Sequence, residues 1–325
     1  TGILPLDERK LSTIAVIGPN ADDPLTQLGD WSLGSGQTRV GEAHPRDSVV
    51  TVLDGVRQRF GGKVLYNPGC SIEQSPERTK EHTSDAMIEE AVRTAERADA
   101  VVLVLGDRLH LTGETKSTAT LELQGGQIEL AEALASALQK TGGELIVVLI
   151  NSKPLVLPKA VYRAAAIVEQ FNPGMLGGAA LAELLFGDCN FSGKLTISFP
   201  YHVGQQPVFY SQVRGQHGDR YADLTQEPLY AFGEGYSYTS FSYGELVLQK
   251  SDLSADDTVR ASVPVTNTGP VKGTEIVQAY VSDLVTSATW VQMELKTYAR
   301  VDLQPGETKI VELEIPVRDC SIVNT

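Results

Sequence analysis

Apolar residues fall along this chain in two rhythms. Through about residue 205, short β-branched and aliphatic runs alternate with segments of helical spacing. TIAVIGP (13–19), KVLYNPG (63–69), AVVLVLG (100–106), ELIVVLIN (144–151) and AAIVEQF (165–171) are the runs. Residues apolar on both sides of the pleat predict strands covered on both faces. Between them, TVLDGVRQRFG (51–61) sets Val52, Leu53, Val56 and Phe60 on one side, with Gly61 and Gly62 as a stop signal. SDAMIEEAVRTAERAD (84–99) is amphipathic, with Ser84 in N-cap position. GQIELAEALASALQK (126–140) and GGAALAELLFG (177–187) complete the helices. Alternating strands and helices predict an α/β fold with a largely parallel sheet.

Beyond about residue 244 the period changes to two. ELVLQKS, TVRASVPVTNTG, GTEIVQAYVSD, MELKTYARVDLQPGE and TKIVELEIPV alternate apolar and polar positions. Turn signals at Asn267-Thr268-Gly269 and Pro305-Gly306 separate them. This predicts an all-β sandwich of immunoglobulin or fibronectin type III kind. Five or six strands can be counted where that fold has about seven, so the domain is expected to be incomplete. Residues 207–243 keep neither rhythm and are rich in Tyr, Gly and Gln, which predicts a connector lying on other parts of the protein.

Composition narrows the function classes. The chain has 325 residues, room for two domains, and 42% of them are hydrophobic, as in ordinary globular proteins. A formal net charge of −14 disfavours nucleic acid and anionic membranes as partners. No apolar run approaches the length of a membrane span, and the opening TGILPLDERK has neither an initiator Met nor signal-peptide design. It reads as a chain whose beginning lies elsewhere. Cys70, Cys189 and Cys320 lie far apart, without CxxC spacing or His partners, and read as free thiols. A homo-oligomer is compatible with everything above.

The chemistry in the sequence is sparse. There is no P-loop, no HExxH and no G-x-S-x-G; Gly34, Gly36 and Gly41 do not follow a strand in dinucleotide-binding register. His44, His82, His110, His202 and His217 never pair at metal-ligand spacing, so no metal and no organic cofactor is expected. One stretch stands out. LGDRLHLTGETKSTATLEL (105–123) leaves a buried strand and runs through a long polar loop with Glu114 in its middle. Loops of that length within a compact domain are uncommon and tend to carry function. Parallel α/β sheets place ligand groups in loops beyond the carboxyl ends of their strands. His110, four residues before Glu114, could share its site. Trp31, in LGDWSLGSG, sits in another polar loop after a strand, where an indole can stack on a sugar. Taken alone, Glu114 and His110 read as solvated loop residues and Trp31 as a packing residue.

The order of motifs along the whole chain changes that reading. TGILPL, TIAVIGPNAD, LGDWS, TVLDGV, VVLVLG…GE…LEL…GQIEL, VLINSKPL, FNPG…GGAALAELLFGDCNFSGKLTISFP, PLYAFGEGYSYTSF and VTNTG…GTEIVQAYV follow one another. This succession resembles glycoside hydrolase family 3, in the β-glucosidase/β-xylosidase branch with a C-terminal fibronectin-like domain. The resemblance covers essentially the whole chain. It implies a TIM-like barrel ahead of this region carrying an aspartate nucleophile, with residues 1–12 the connector from it. An α/β sandwich domain, 13–206, would hold the acid/base loop. The connector 207–243 and the fibronectin type III-like domain 244–325 would follow.

By the resemblance, Glu114 is the general acid/base of a retaining exo-acting β-glycosidase, with Trp31 and His110 as substrate-binding candidates. Such an enzyme sets two carboxyl groups about 5–5.5 Å apart across the glycosidic bond. One attacks the anomeric carbon while the other protonates the departing oxygen. The expected substrate is an oligosaccharide or other β-glycoside, cut to release a terminal sugar, and a β-glucosidase is the leading assignment. A β-xylosidase of the same family and a non-catalytic carbohydrate-binding or scaffolding fragment are the alternatives; a β-N-acetylglucosaminidase fits less well, since that branch often lacks this region. Relatives carry an Arg and a following Asp shortly after the acid/base residue, where this chain has Thr118 and Thr120. An ion pair that stiffens the loop is therefore expected to be missing.

Overall fold

Ala100–Gly106 form a strand, β3, that is buried at every residue and paired on both edges. It is the middle of a five-stranded parallel sheet in the computed structural model, which describes residues 2–32, 46–72, 84–213 and 221–322. The other strands are β1 (Thr13–Ile17), β2 (Lys63–Asn67), β4 (Leu145–Ile150) and β5 (Ala166–Glu169), in the order β2-β1-β3-β4-β5. All pairings are parallel. Every strand predicted from an apolar run in this region is present within two residues of its predicted ends.

Helices connect the strands. They are α1 (Pro24–Leu28), α2 (Val52–Arg59), α3 (Asp85–Ala95), α4 (Gln127–Thr141), α5 (Lys159–Tyr162) and α6 (Gly177–Leu185). The Thr51 hydroxyl accepts from the Asp54 N–H at 3.3 Å, and the Asp54 carboxylate accepts from the Thr51 N–H at 3.1 Å, a capping box that starts α2. Ser84 caps α3 as its sequence position suggested. The short helices α1 and α5 are not visible in the apolar spacing. The described helices include none long and apolar enough to cross a membrane.

The strand order fixes where a ligand site can form. From β1 the chain moves outward to β2, then returns across β1 to β3 and continues the other way. Loops leaving the carboxyl ends of β1 and β3 thus diverge, which opens a crevice at that point in doubly wound sheets. The residues after β1 are 18–32, which include Trp31. The residues after β3 are 107–123, which include Glu114.

A second compact unit begins at Asn190, upstream of the change in composition at 207. Its strands are β6 (Phe241–Tyr243), β7 (Val247–Leu248), β8 (Thr258–Asn267), β9 (Gly273–Val281), β10 (Glu294–Leu303) and β11 (Thr308–Pro316). One antiparallel sheet is β10-β9; the other is β11-β8-β6, with β7 also on β8. Val263, Val265, Val277, Val301, Leu303, Val311 and Leu313 form the core between them. The buried Asn267 amide holds the first turn, accepting from the Thr239 hydroxyl at 2.5 Å and donating to the Val271 and Leu303 carbonyls. Of ELVLQKS only Val247 and Leu248 pair as strand, while Phe241–Tyr243 forms a strand inside the aromatic-rich stretch. Aromatics of that stretch stack within this unit, Tyr210 on Phe232 at 4.1 Å between centroids.

Candidate active site

The loop after β3 is anchored before it reaches Glu114. Gly106 has φ +143°, and a Cβ there would collide with the Ile150 carbonyl, so only glycine lets β3 end against β4 in this way. Asp107 follows, buried to 3% exposure. Its N–H donates to the Ile150 carbonyl at 3.0 Å, and its carbonyl accepts from the Asn20 amide at 2.8 Å. Its carboxylate accepts from Lys153 Nζ at 3.0 Å and from the Ser152 N–H at 3.3 Å. Burial raises the Asp107 pKa, with the Lys153 ammonium opposing it.

Arg108 then ties this loop to the one after β1, donating to the Pro19 carbonyl at 3.0 Å and facing Asp23 at 3.5 Å. Leu109–Leu111 make a single 3₁₀ turn whose two leucines are buried, with His110 half-buried between them. The excursion is thus fastened to the domain over its first half.

Glu114 lies at the turning point. The Lys116 N–H donates to the Gly113 carbonyl at 3.2 Å, closing a reverse turn over Glu114 and Thr115. Gly113 has φ +95° and Thr115 φ +66°. A β-branched residue in the left-handed region is strained, and such strain concentrates at functional turns. Glu114 is exposed at the second position of this turn. The returning arm carries the two departures from the family pattern. The Thr118 hydroxyl donates to the Thr120 carbonyl at 2.7 Å, and the Thr120 hydroxyl accepts from the Glu122 N–H at 3.1 Å. The Val156 N–H donates to the Leu121 carbonyl at 2.9 Å.

The loop after β1 meets this turn. Asp23 caps α1, accepting from the Leu25 and Thr26 N–H groups, with Pro24 at the first helical position. The buried Gln27 amide donates to the Val50 and Gly174 carbonyls, both at 2.8 Å. Asp30 then lies against Gly113: a Cβ on Gly113 would sit 2.6 Å from the Asp30 Cγ. Both Asp30 carboxylate oxygens are buried and have no hydrogen-bond partner among the described residues. Trp31, with φ +62°, is 70% exposed. The structure therefore brings the Trp31 loop against the residue preceding Glu114, and places His110 on the same loop as Glu114. His44, His82 and His217 lie outside the described residues.

A third group stands at the ends of β4 and β5. Glu169 accepts from the Phe171 N–H at 2.7 Å and from the Asn151 amide at 3.3 Å. Burial pushes its pKa up to about 8; these two hydrogen bonds oppose the shift and the nearby Asp107 adds to it. Among the described residues no group of three or more His, Cys, Asp or Glu could hold a metal ion.

Sequence reasoning missed Asp30, Asp107, Gln127, Lys153 and Glu169. For Gln127 a signal existed. It stands three and four residues before Leu130 and Ala131 and seven before Leu134, on the apolar face of α4, where an amide needs a buried partner.

Comparison with known proteins gives this arrangement its family. Residues 1–238 match the model described as Glycosyl hydrolase family 3 C-terminal domain, and residues 275–325 match that of the Fibronectin type III-like domain. The chain belongs to glycoside hydrolase family 3. It is 39% identical to a protein named beta-xylosidase from Formosa agariphila over 99% of this chain and 43% of that protein. It is 36% identical to a periplasmic beta-glucosidase from Salmonella typhimurium over 97% of this chain and 42% of that protein. A solved structure described as a beta-glucosidase involved in saponin metabolism from intestinal bacteria superposes with a TM-score of 0.91 at 45% identity, covering 99% of this chain and 48% of that one. The chain thus spans less than half the length of the relatives it matches.

Proposed function

We propose that this chain is the acid/base-bearing part of a retaining, exo-acting β-glycosidase, a β-glucosidase that releases terminal β-linked sugar. Glu114 is its general acid/base, and the carboxylate nucleophile belongs to a barrel outside these residues. Trp31 offers an exposed indole face to the sugar, and His110, four residues before the acid/base on the same loop, is a minor contact. The observation that carries the reading is the presentation of Glu114, exposed in a strained turn on a fastened loop at the point where the strand order reverses. In the first step Glu114 protonates the glycosidic oxygen as the bond breaks; in the second it takes a proton from the attacking water.

The test uses an enzyme in which this chain is joined to its barrel. Glu114→Ala should slow hydrolysis of substrates with poor leaving groups by about 10²–10⁴-fold. Activated aryl glycosides, which leave as stable anions, should lose far less in glycosylation, and azide should restore turnover with a β-glycosyl azide as product. Glu122→Ala, removing an exposed carboxylate on the same loop, is the control and should behave like the parent. Little change in Glu114→Ala, without azide rescue, would leave the non-catalytic binding reading standing. A β-xylosidase is the second reading, supported by the 39% identity to the Formosa agariphila protein of that name. Ratios of kcat/KM for aryl glucosides and xylosides separate the two.

A further inference from the structure

Glu114 can serve a distant pocket only if its loop returns it to one place, and one side chain fastens both feet of that loop. Gln127 is the first residue of α4 and is fully buried. Its Oε1 accepts from the Gly106 N–H at 2.9 Å, and its Nε2 donates to the Gly106 carbonyl at 2.9 Å. The same Nε2 donates to the Gln124 carbonyl at 2.8 Å. Gly106 is the last residue of β3, before the loop begins; Gln124 lies just beyond its end. The other fastenings hold one side each: Asn20 and Lys153 act at Asp107, and Val156 acts at Leu121.

We propose that Gln127 is a positioning residue for the acid/base, holding the two feet of the 107–123 loop together so that Glu114 is delivered in register. The proposal rests on the acid/base reading of Glu114. An apolar residue would suit the inner face of α4 better by pattern, so the amide must be justified by its bonds. Buried backbone groups left without partners are costly and recover them only by moving. With its ends held, the loop samples far fewer conformations than one free at either foot. A displacement of about 1 Å in a reacting group costs on the order of 10²-fold in rate. The tie therefore acts on catalysis through placement, with no contact to the sugar.

The experiment again uses the barrel-joined enzyme. Gln127→Met keeps the length and removes every bond; Gln127→Glu keeps an acceptor for the Gly106 N–H but, even when protonated, donates to at most one of the two carbonyls and so no longer ties both feet. In folded protein, amide hydrogen exchange within 107–123 should rise by about tenfold or more. For a substrate with a poor leaving group, kcat should fall by about tenfold or more with KM changed by less than about twofold. In a Glu114→Ala background, Gln127→Met should cost less than about twofold further, because the group it positions is gone. An equal loss in both backgrounds overturns the proposal and makes Gln127 a general support. Unchanged exchange and unchanged kcat overturn it as well. If Gln127→Met does not fold, Gln127→Glu carries the same readouts. A Glu114→Ala enzyme unimpaired on poor leaving groups would sink the acid/base reading and this proposal with it. An impaired one with additive losses sinks the proposal alone.

Discussion

The parallel sheet and the antiparallel sheets of this chain meet water in opposite ways. β3 and β4 are buried at every position, whereas β11 alternates buried and exposed residues from Val311 to Pro316. In a strand covered on both faces no side chain can be polar without a partner, so polar groups collect at the strand ends. Asp107, Asn151, Lys153 and Glu169 gather there. In the second unit many charges lie on wet faces, as in the exposed Arg260–Glu314 pair, where each contributes little. Concentration makes a charge consequential. The acid/base role proposed for Glu114 falls in the first unit.

The comparison can be tested from its strongest contrast downward. Leu103→Ala, in the middle of β3 at 0% exposure, should cost about 2–5 kcal/mol. Ile310→Ala, on the outer face of β11 at 60% exposure, should stay within about 0.5 kcal/mol. Urea unfolding of the two variants side by side measures the gap, and equal losses would remove the distinction between the sheets.

Glu169 sharpens the contrast at the strand ends. Its folded pKa of about 8 lies above the ordinary 4.5, so between those values the native state holds a proton that the unfolded chain releases. This group's stabilising share is complete below pH 4.5 and is lost as pH rises toward 8, at no more than about 1.4 kcal/mol per pH unit. Glu169→Gln keeps an acceptor for the Phe171 N–H and cannot ionise. Its melting temperature relative to the parent should therefore climb from pH 5 to pH 8; a constant offset would show that Glu169 titrates normally.

Thr115 gives a small effect of the opposite sign. Glycine takes φ +66° without strain, so Thr115→Gly should change stability by less than about 1 kcal/mol, and upward. A drop larger than that in the urea midpoint would mean that the threonine side chain, and not its backbone, matters to the turn.

Much of the fold was legible because burial on both faces writes itself as unbroken apolar runs. AVVLVLG is a strand over the very residues read, and Ser84 caps the helix it was assigned. What escaped has long-range causes. α1 is short, and its stability comes from Asp23 at its start and from Gln27 reaching the Val50 and Gly174 carbonyls, contacts that no local window contains. ELVLQKS alternates as a strand should, yet only Val247 and Leu248 are in strand register with β8, and the Gln249 N–H adds one more bond to the Arg260 carbonyl. At the site, position and family likeness singled out Glu114. Its supports were hidden because an amide or carboxylate within an apolar stretch announces a need for a partner without naming it. Gln127 shows this most plainly.

Thr118 and Thr120 carry a last consequence. Where the family resemblance led to the expectation of an arginine and an aspartate, the returning arm here is held by hydroxyl groups bonded to neighbouring backbone. Dissolved ions weaken an exposed pair of opposite charges, with a screening length of about 10 Å at 0.1 M, but they leave a neutral hydroxyl–carbonyl bond almost untouched. This arm gains its shape from contacts indifferent to ionic strength.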